Sequence, residues 1–431
     1  MKRMKRKMEI RLTSKGAILS NSDKRFWTER VRLYFPIALN HHNATSSALL
    51  CTILKRGTVN HPDMLSLERA LEERYGMAVG FDIAKLGDLL IFKATMQSPK
   101  SRFTPAGAKL QKEALALFSE ILLQPLQGEN GFFKDYFEQE RRILIAQLTT
   151  LINHRELYSR IRFLNHFCRS EPYRLYEYGD IKTAETITNN DVYTFYRKLI
   201  EETPFILYTD GFDYTDVFDA LKGLAKNSAS LLPFKQKCLS ARKRTKTVTE
   251  RMDIKQAYLW FGFRANIPPT DERATAAQIL SAIFGGLPTS RLFKSVREKS
   301  SLAYDVHSTY VRSKGIMAVH ACVSPENLKK AKRLIMKEWE RITSGDASEE
   351  ELKTAKRYLI QDIETLVDSP LALADFYAYG ILIGKNESLL KRIENIKKVK
   401  RDDIVAVARS LECDTVFSLI PDDKKRGRGQ K

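Results

Sequence analysis

The same order of secondary-structure signals occurs twice along the 431 residues, and this repetition limits the fold more than any other feature. In each half, an apolar helical pattern ends at a glycine, a second helix follows, and two strands separated by a turn come next. Gly57 ends the first helix of one half, and Gly285 ends its counterpart in the other. The predicted strand pairs are 78–83 with 89–96 and 304–310 with 316–322. This order predicts an α+β fold of two duplicated domains, each an antiparallel or mixed sheet packed by helices.

The junction between the two halves is a polar and basic segment. Residues 231–247 contain Pro233 and the basic run 242–246, a composition typical of a linker. A chain of 431 residues is also long enough for two or three domains. We therefore predict a first domain over residues 1–230, a linker over 231–247 and a second domain over 248–431.

The end of the first helix lacks the groups that hold a metal ion. Two histidines four residues apart lie on one helix face and can bind one zinc ion, and a nearby glutamate can activate the bound water. On the first helix, Ala48 and Thr52 lie four residues apart, but Ala48 has no ligand atom and Thr52 is a poor zinc ligand. The single thiol of Cys51 is not a site by itself. The residues predict a buried helix without a metal, followed by the turn 56–58.

Charge and cysteine content bear on compartment and partners. The net charge is +20, and much of it lies in the segments 1–7, 242–246 and 424–428. This charge favours a solvated basic surface, or attraction to acidic peptides or an acidic partner. Nucleic acid is an unlikely partner, because the sequence has no zinc knuckle, basic zipper or aromatic RNA-binding signature. The five scattered cysteines suit free thiols in a reducing compartment. No apolar run approaches the roughly 20 residues of a membrane span, and residues 8–20 are too polar for a signal-peptide core, so we predict a cytoplasmic protein without membrane contact.

Several ordered motifs resemble the pitrilysin/insulinase family of zinc peptidases. Residues 256–263 are similar to the strand that opens the second domain of this family, and residues 283–293 to its glycine turn and following helix. Residues 297–304 match the family signature R-E-K-x-x-L-A-Y at every specified position. Residues 48–58 keep the family's helix and basic-Gly-Thr turn, but not its H-x-x-E-H. Together these segments extend over most of the chain.

The resemblance implies a paired architecture in which one subunit carries the zinc. Each subunit of this size forms half of a clamshell around a chamber, and the catalytic one holds zinc with H-x-x-E-H and a downstream glutamate. The positions of the three zinc ligands here carry Ala48, Thr52 and, in the element 140–147, Gln147; Cys51 replaces the motif's glutamate. The resemblance therefore implies no cofactor in this chain and zinc in a partner.

The second subunit of the paired forms carries an Arg–Tyr pair that contacts the substrate near the cut bond, and Arg297 and Tyr304 occupy those positions. We therefore expect a non-catalytic, substrate-binding subunit of a two-chain zinc peptidase that cleaves peptides or precursor leader segments. Its expected partner is a homologous H-x-x-E-H subunit, in a heterodimer.

Three other interpretations remain open. The chain could be an interaction or structural protein of the same fold without a role in proteolysis, because the family also serves structural roles in respiratory complexes. It could associate with nucleic acid through its basic termini. It could also be a solitary enzyme with an unrecognised site, although His61, His154, His166, His307 and His320 have no other ligand at metal-binding spacing in the sequence.

Overall fold

The structure is a computed structural model that describes residues 8–13, 16–21, 23–107, 109–226, 230–231 and 233–422. The basic segments 1–7 and 424–428 lie outside the described residues, as does position 232 of the predicted linker. The elements up to residue 226 are β1 Glu9–Thr13, β2 Gly16–Asn21, β3 Thr28–Ala38, α1 His41–Ile53, α2 Met64–Glu73, β4 Ala78–Leu86, β5 Leu89–Pro99, α3 Lys109–Leu123, β6 Gln127–Gly128, β7 Gly131–Phe132, α4 Lys134–Thr150, α5 Arg155–Phe167, α6 Ile181–Thr186, α7 Asn189–Glu202, β8 Phe205–Asp210 and α8 Tyr214–Ala220.

The elements beyond residue 230 repeat much of this order. They are β9 Lys246–Met252, β10 Ala257–Arg264, α9 Arg273–Ser281, β11 Ala303–Val311, β12 Ile316–Val323, α10 Leu328–Thr343, α11 Glu349–Thr365, α12 Pro370–Leu382, α13 Leu389–Lys398, α14 Arg401–Ser410 and β13 Glu412–Pro421. Two π-helical segments, Ala282–Gly286 and Phe293–Glu298, lie between α9 and β11.

Each unit of the molecule is built on one sheet. The first sheet has the strand order β1-β2-β8-β3-β5-β4 and the second the order β11-β12-β10-β13-β9. Only the β2–β8 pair of the first sheet and the β13–β9 pair of the second are parallel among the described strands. Read from opposite ends, β2-β8-β3-β5-β4 and β9-β13-β10-β12-β11 are the same arrangement. The prediction of an α+β fold with two duplicated domains is therefore confirmed.

The strands alternate between two buried faces. On β3, Val31 and Leu33 pack in the main core of the first unit, which also includes residues of α1, α3 and α7. The side chains between them, Arg32 and Tyr34, point to the opposite face, because successive residues of a strand alternate sides. On β10, Trp260 and Phe263 likewise face opposite sides, towards α5 and towards Trp339 of α10.

Each unit contains a helix from the other half of the sequence. The first unit comprises the described residues of 1–153, 175–233 and 370–382, and the second those of 154–174, 234–369 and 383–431. Helix α12 thus belongs to the first unit, where Asp375 accepts hydrogen bonds from Arg32 (2.9 Å) and Tyr34 (2.7 Å). Helix α5 belongs to the second unit. The predicted division into 1–230, 231–247 and 248–431 places α5 in the first domain and α12 in the second, so it does not include this exchange of helices.

Two local features complete the description of the helices. Helix α1 begins at His41, because Asn40 caps it by accepting a hydrogen bond from the Asn43 amide. The second helix predicted after Gly285 contains the π-helical segment Phe293–Glu298. Among the described residues, no helix is both long and apolar enough to cross a lipid bilayer.

Candidate functional site

The positions on α1 that align with the H-x-x-E-H motif serve helix packing. Ala48 and Cys51 are buried, and Thr52 is half-buried. The Thr52 hydroxyl donates to the Leu49 carbonyl 2.9 Å away, so it satisfies its hydrogen bond within the helix. These three side chains fill the core and leave no arrangement of metal ligands.

The electrostatic environment of Cys51 also disfavours a metal. Burial, with a smaller contribution from the Asp82 carboxylate, raises the pKa of Cys51 to about 12, so the thiol stays protonated at neutral pH. Zinc binds the thiolate form. The charges of Lys55 and Lys93 also reach this thiol, and the buried Lys93 ammonium lies 2.8 Å from Asp82.

The turn after α1 is retained for structural reasons. Arg56 at the end of the helix pairs with the buried Glu140 of α4, with Nε 2.5 Å from Oε1. A side chain at Gly57 would place its Cβ 2.7 Å from the Pro62 carbonyl oxygen, so the close approach of the chain requires glycine. Thr58 is buried and donates to Glu120. These contacts explain why the turn persists without the metal.

Gln147 lies on α4 with its side chain exposed to solvent. Two turns earlier on the same helix, Glu140 is committed to the ion pair with Arg56. Neither Gln147 nor the α1 positions belong to a cluster of three or more potential metal ligands in the part of the chain that the structure describes.

Close packing of a glycine turn fixes the strand that carries Tyr304. A Cβ at Gly285 would lie 2.7 Å from the backbone nitrogen of Ser308, so glycine allows the π-helical segment to approach β11. The Ser308 hydroxyl donates to the Ser281 carbonyl over 2.6 Å within the buried contact. Strand β11 is therefore held firmly against the end of α9.

Arg297 lies in the π-helical segment Phe293–Glu298 and is exposed. Its guanidinium lies 4.8 Å from the centre of the Phe293 ring, and it makes no ion pair with any described acidic residue. Just before this segment, the largely buried Arg291 makes a bidentate pair with Glu351 of α11, at 2.7 and 2.8 Å. The support is thus rigid while the Arg297 side chain is available to a ligand.

Tyr304 follows a tight turn and sits at an irregularity of β11. Ser301 adopts a left-handed conformation with φ of 47°, and the Ser301 and Leu302 amides close the helix by donating to the carbonyls of Arg297 and Val296. Ala303 pairs with Val323 and Asp305 with Cys322, so Tyr304 is the extra residue of a β-bulge. Its side chain is 64% exposed, and its hydroxyl makes no hydrogen bond among the described residues.

Sequence reasoning missed a second group of residues in the same sheet. The register of β11 and β12 places His307 directly opposite His320, and Asp305 lies on the same face. The sequence shows no ligand at metal-binding spacing for these histidines, but the fold brings Asp305, His307 and His320 together as a cluster of potential metal ligands. The sequence signal, D-x-H on one strand and a histidine on the next, becomes informative only once the register is known.

Comparison with known proteins finds similar sequences. The family model for the peptidase M16 inactive domain matches residues 186–359. A probable inactive metalloprotease of Bacillus subtilis is 27% identical over 383 residues, which cover 88% of this chain and 90% of that protein.

Solved structures share the fold along nearly the whole chain. A conserved protein from Enterococcus faecalis superposes with a TM-score of 0.87 and 23% identity, covering 95% of this chain and 97% of its own. A peptidase M16 inactive domain from Pseudomonas fluorescens gives 0.79 and 17%, with coverage of 96% and 98%. A chain of complex III2 from Candida albicans gives 0.68 and 16%, covering 96% of both chains. The resemblance seen in the sequence is thus confirmed: the chain is similar to the M16 peptidases, the pitrilysin/insulinase family, and the model of their inactive domain matches residues 186–359.

Proposed function

We propose that this chain is the non-catalytic, substrate-binding subunit of a two-chain zinc peptidase that cleaves peptides or precursor leader segments. One contrast carries the proposal. Ala48 and Cys51, which stand at the first histidine and the glutamate of the motif, are buried in a helix core, whereas Arg297 and Tyr304 are exposed on a well-supported part of the second unit. A chain that has lost its metal ligands and keeps two polar, uncommitted side chains is suited to binding substrate for another subunit.

Arg297 and Tyr304 have distinct chemical roles in this proposal. The Arg297 guanidinium donates hydrogen bonds to peptide carbonyl groups, for which its fixed fork of donors is suited. The Tyr304 hydroxyl donates to the oxyanion that develops when zinc-bound water attacks the scissile carbonyl. Both groups then act on a substrate that the partner subunit also binds.

Strand β11 offers a further means of holding a peptide. It is an edge strand of the second sheet, so one row of its backbone donors and acceptors has no strand neighbour among the described residues. An extended peptide can add to such an edge through main-chain hydrogen bonds. Tyr304 at the beginning of β11 would then lie beside the bound peptide.

The proposed partner is a homologous chain with an intact H-x-x-E-H and its downstream glutamate. It supplies the zinc, and the two chains form a cytoplasmic heterodimer whose halves close around a chamber. The basic character of this chain, with a net charge of +20, favours acidic peptide segments as substrates.

The experiment combines this chain with a homologous chain that carries an intact H-x-x-E-H and measures cleavage of a peptide library. We expect activity only from the mixture, and Arg297→Ala and Tyr304→Phe should each lower turnover by about tenfold to a thousandfold, because each removes a donor to substrate or transition state. The matched controls are Arg357→Ala and Tyr358→Phe, which are exposed neighbours on α11. Full activity of both site variants, or cleavage by this chain alone, would contradict the proposal.

The second candidate is an interaction or structural protein of the same fold without a role in proteolysis. It is favoured by the similarity in fold to the complex III2 chain from Candida albicans. In that case the Arg297→Ala and Tyr304→Phe variants would assemble with their partner normally, and the assembly would have no peptidase activity to lose. Size-exclusion chromatography of the mixture, followed by the cleavage assay, separates the two functions.

A further inference from the structure

Two histidines and one aspartate converge on one face of the second sheet. His307 of β11 and His320 of β12 are direct cross-strand partners, so their side chains project from the same face. His307 Nδ1 lies 3.0 Å from Oδ2 of Asp305, and His320 Nδ1 lies 3.5 Å from the same oxygen. One ligand atom from each of the three residues falls within 4.8 Å of the other two.

The buried member of this cluster lacks hydrogen-bond partners. His320 is only 1% exposed, and its ring packs 4.4 Å from the ring of Trp260. Neither nitrogen of the His320 ring makes a hydrogen bond within the described part of the chain. Burying an imidazole without a partner costs free energy, so buried polar groups of this kind ordinarily have a hydrogen-bond partner or a bound ion. The cluster geometry and the unpartnered, buried ring nitrogen that faces Asp305 together point to a bound ion.

We propose that Asp305, His307 and His320 bind a divalent transition-metal ion, and that Zn²⁺ is the ion this set of ligands suits. Two imidazoles and one carboxylate are common zinc ligands, and three protein ligands leave a fourth position for water. The Asp305 and His307 side chains are 53% and 39% exposed, so an ion reaches the cluster from solvent and meets His320 beneath them.

The position of the cluster gives the ion a structural role. A metal held by Asp305, His307 and His320 ties β11 to β12 through side chains of both strands. Tyr304, the extra residue of the bulge, directly precedes Asp305. Fixing Asp305 therefore also fixes the end of the strand that presents Tyr304. The metal site does not depend on the function proposed for Tyr304, because the isolated chain contains all three proposed ligands.

The test measures zinc binding to the full chain after treatment with a chelator. Isothermal titration with ZnCl2, followed by elemental analysis after gel filtration, should give one zinc ion per chain. Asp305→Asn and His307→Gln should each weaken the affinity by at least about tenfold, since even changes to residues behind the ligands have effects of that size. Both side chains are partly exposed, so circular dichroism and the thermal unfolding temperature without metal should match the wild-type protein.

A matched control separates this site from other histidines and from the free thiols. His166 of α5 is half-buried and pairs with Glu250 at 2.8 Å, but this pair has no third ligand among the described residues. His166→Gln should leave zinc affinity unchanged. Absence of stoichiometric binding in the wild-type chain, or equal affinity in Asp305→Asn and His307→Gln, would overturn the proposal. No peptide or partner enters this assay, so its failure is distinct from failure of the proposed peptidase role.

Discussion

Ala48, Cys51 and Lys93 show, at the scale of single residues, how the end of α1 is packed as a core rather than as a metal site. The first two are packed in the core, and Lys93 places a buried positive charge within electrostatic reach of Cys51. Restoring a histidine at position 48 would force a large ring into the volume of a methyl group, which costs about 1–3 kcal/mol. Replacement of the missing ligands alone is therefore insufficient to restore a zinc site.

Glu29 gives the first unit a pH-dependent stability. Burial raises the pKa of Glu29 from 4.5 to about 7, although hydrogen bonding to Gln111 and the charge of Lys100 oppose this shift. The folded state thus holds a proton that the unfolded state releases above pH 4.5. The stabilisation is complete below that pH and is lost as the pH rises through about 7, a change of about 3 kcal/mol.

The variant Glu29→Gln tests this dependence. Its neutral amide requires no proton, so we expect it to be more stable than the wild-type protein at pH 8, with the difference shrinking towards pH 5. Thermal unfolding of both proteins across this range measures the effect. Parallel curves for the two proteins would show that the folded protein does not retain the proton.

At the scale of elements, helix α5 is joined to the second sheet by a buried ionic network. Glu171, just after the helix, lies 2.5 Å from Arg264 of β10 and 2.7 Å from Lys314 in the turn between β11 and β12. All three side chains are almost fully buried. Removing one partner from such a network leaves buried charges without compensation, which is more costly than the pair itself is stabilising.

We expect Glu171→Gln to destabilise the second unit by about 3 kcal/mol, because Arg264 and Lys314 lose the carboxylate between them. The thermal unfolding temperature measures this loss. Glu364→Gln, at an exposed position of α11, is the control and should change stability by less than about 0.5 kcal/mol. Equal effects of the two substitutions would mean that the network contributes little.

The sequence predicts the bounds of these elements where local signals determine them. The strand pair 304–310 and 316–322 was predicted within one residue at each end, because alternation of side chains and the turn at Gly315 are local signals. The bulge at Tyr304 and the pairing of His307 with His320 depend on register, which distant contacts set. The π-helical segments were missed because their apolar spacing is close to that of an α-helix.

At the scale of the whole molecule, the exchange of α5 and α12 makes the two halves of the sequence dependent on each other. Tyr34 is completely buried and donates to Asp375 of α12. A fragment ending at residue 233 retains β3 but lacks α12, so it exposes that face of its sheet. Exposed apolar surface of this kind promotes aggregation.

We therefore expect residues 1–233 expressed alone to aggregate, and residues 1–233 and 234–431 expressed together to form a soluble complex. Size-exclusion chromatography with light scattering distinguishes these states. A fragment 1–233 that is monomeric and shows cooperative unfolding would contradict the prediction and mean that α12 is dispensable for the first unit.

The exchange of helices also limits how such chains can recombine. A chimera that takes residues 1–233 from one homologue and the remainder from another would join β3 to a foreign α12, and Tyr34 and Arg32 would need a carboxylate supplied by the other parent. Glu171 would come from the first parent and Arg264 from the second, so this buried pair of the second unit would also have to match. Crossovers that preserve folding should therefore require both parents to share these pairs, so the two descendants of the ancestral duplication are inherited as a single unit.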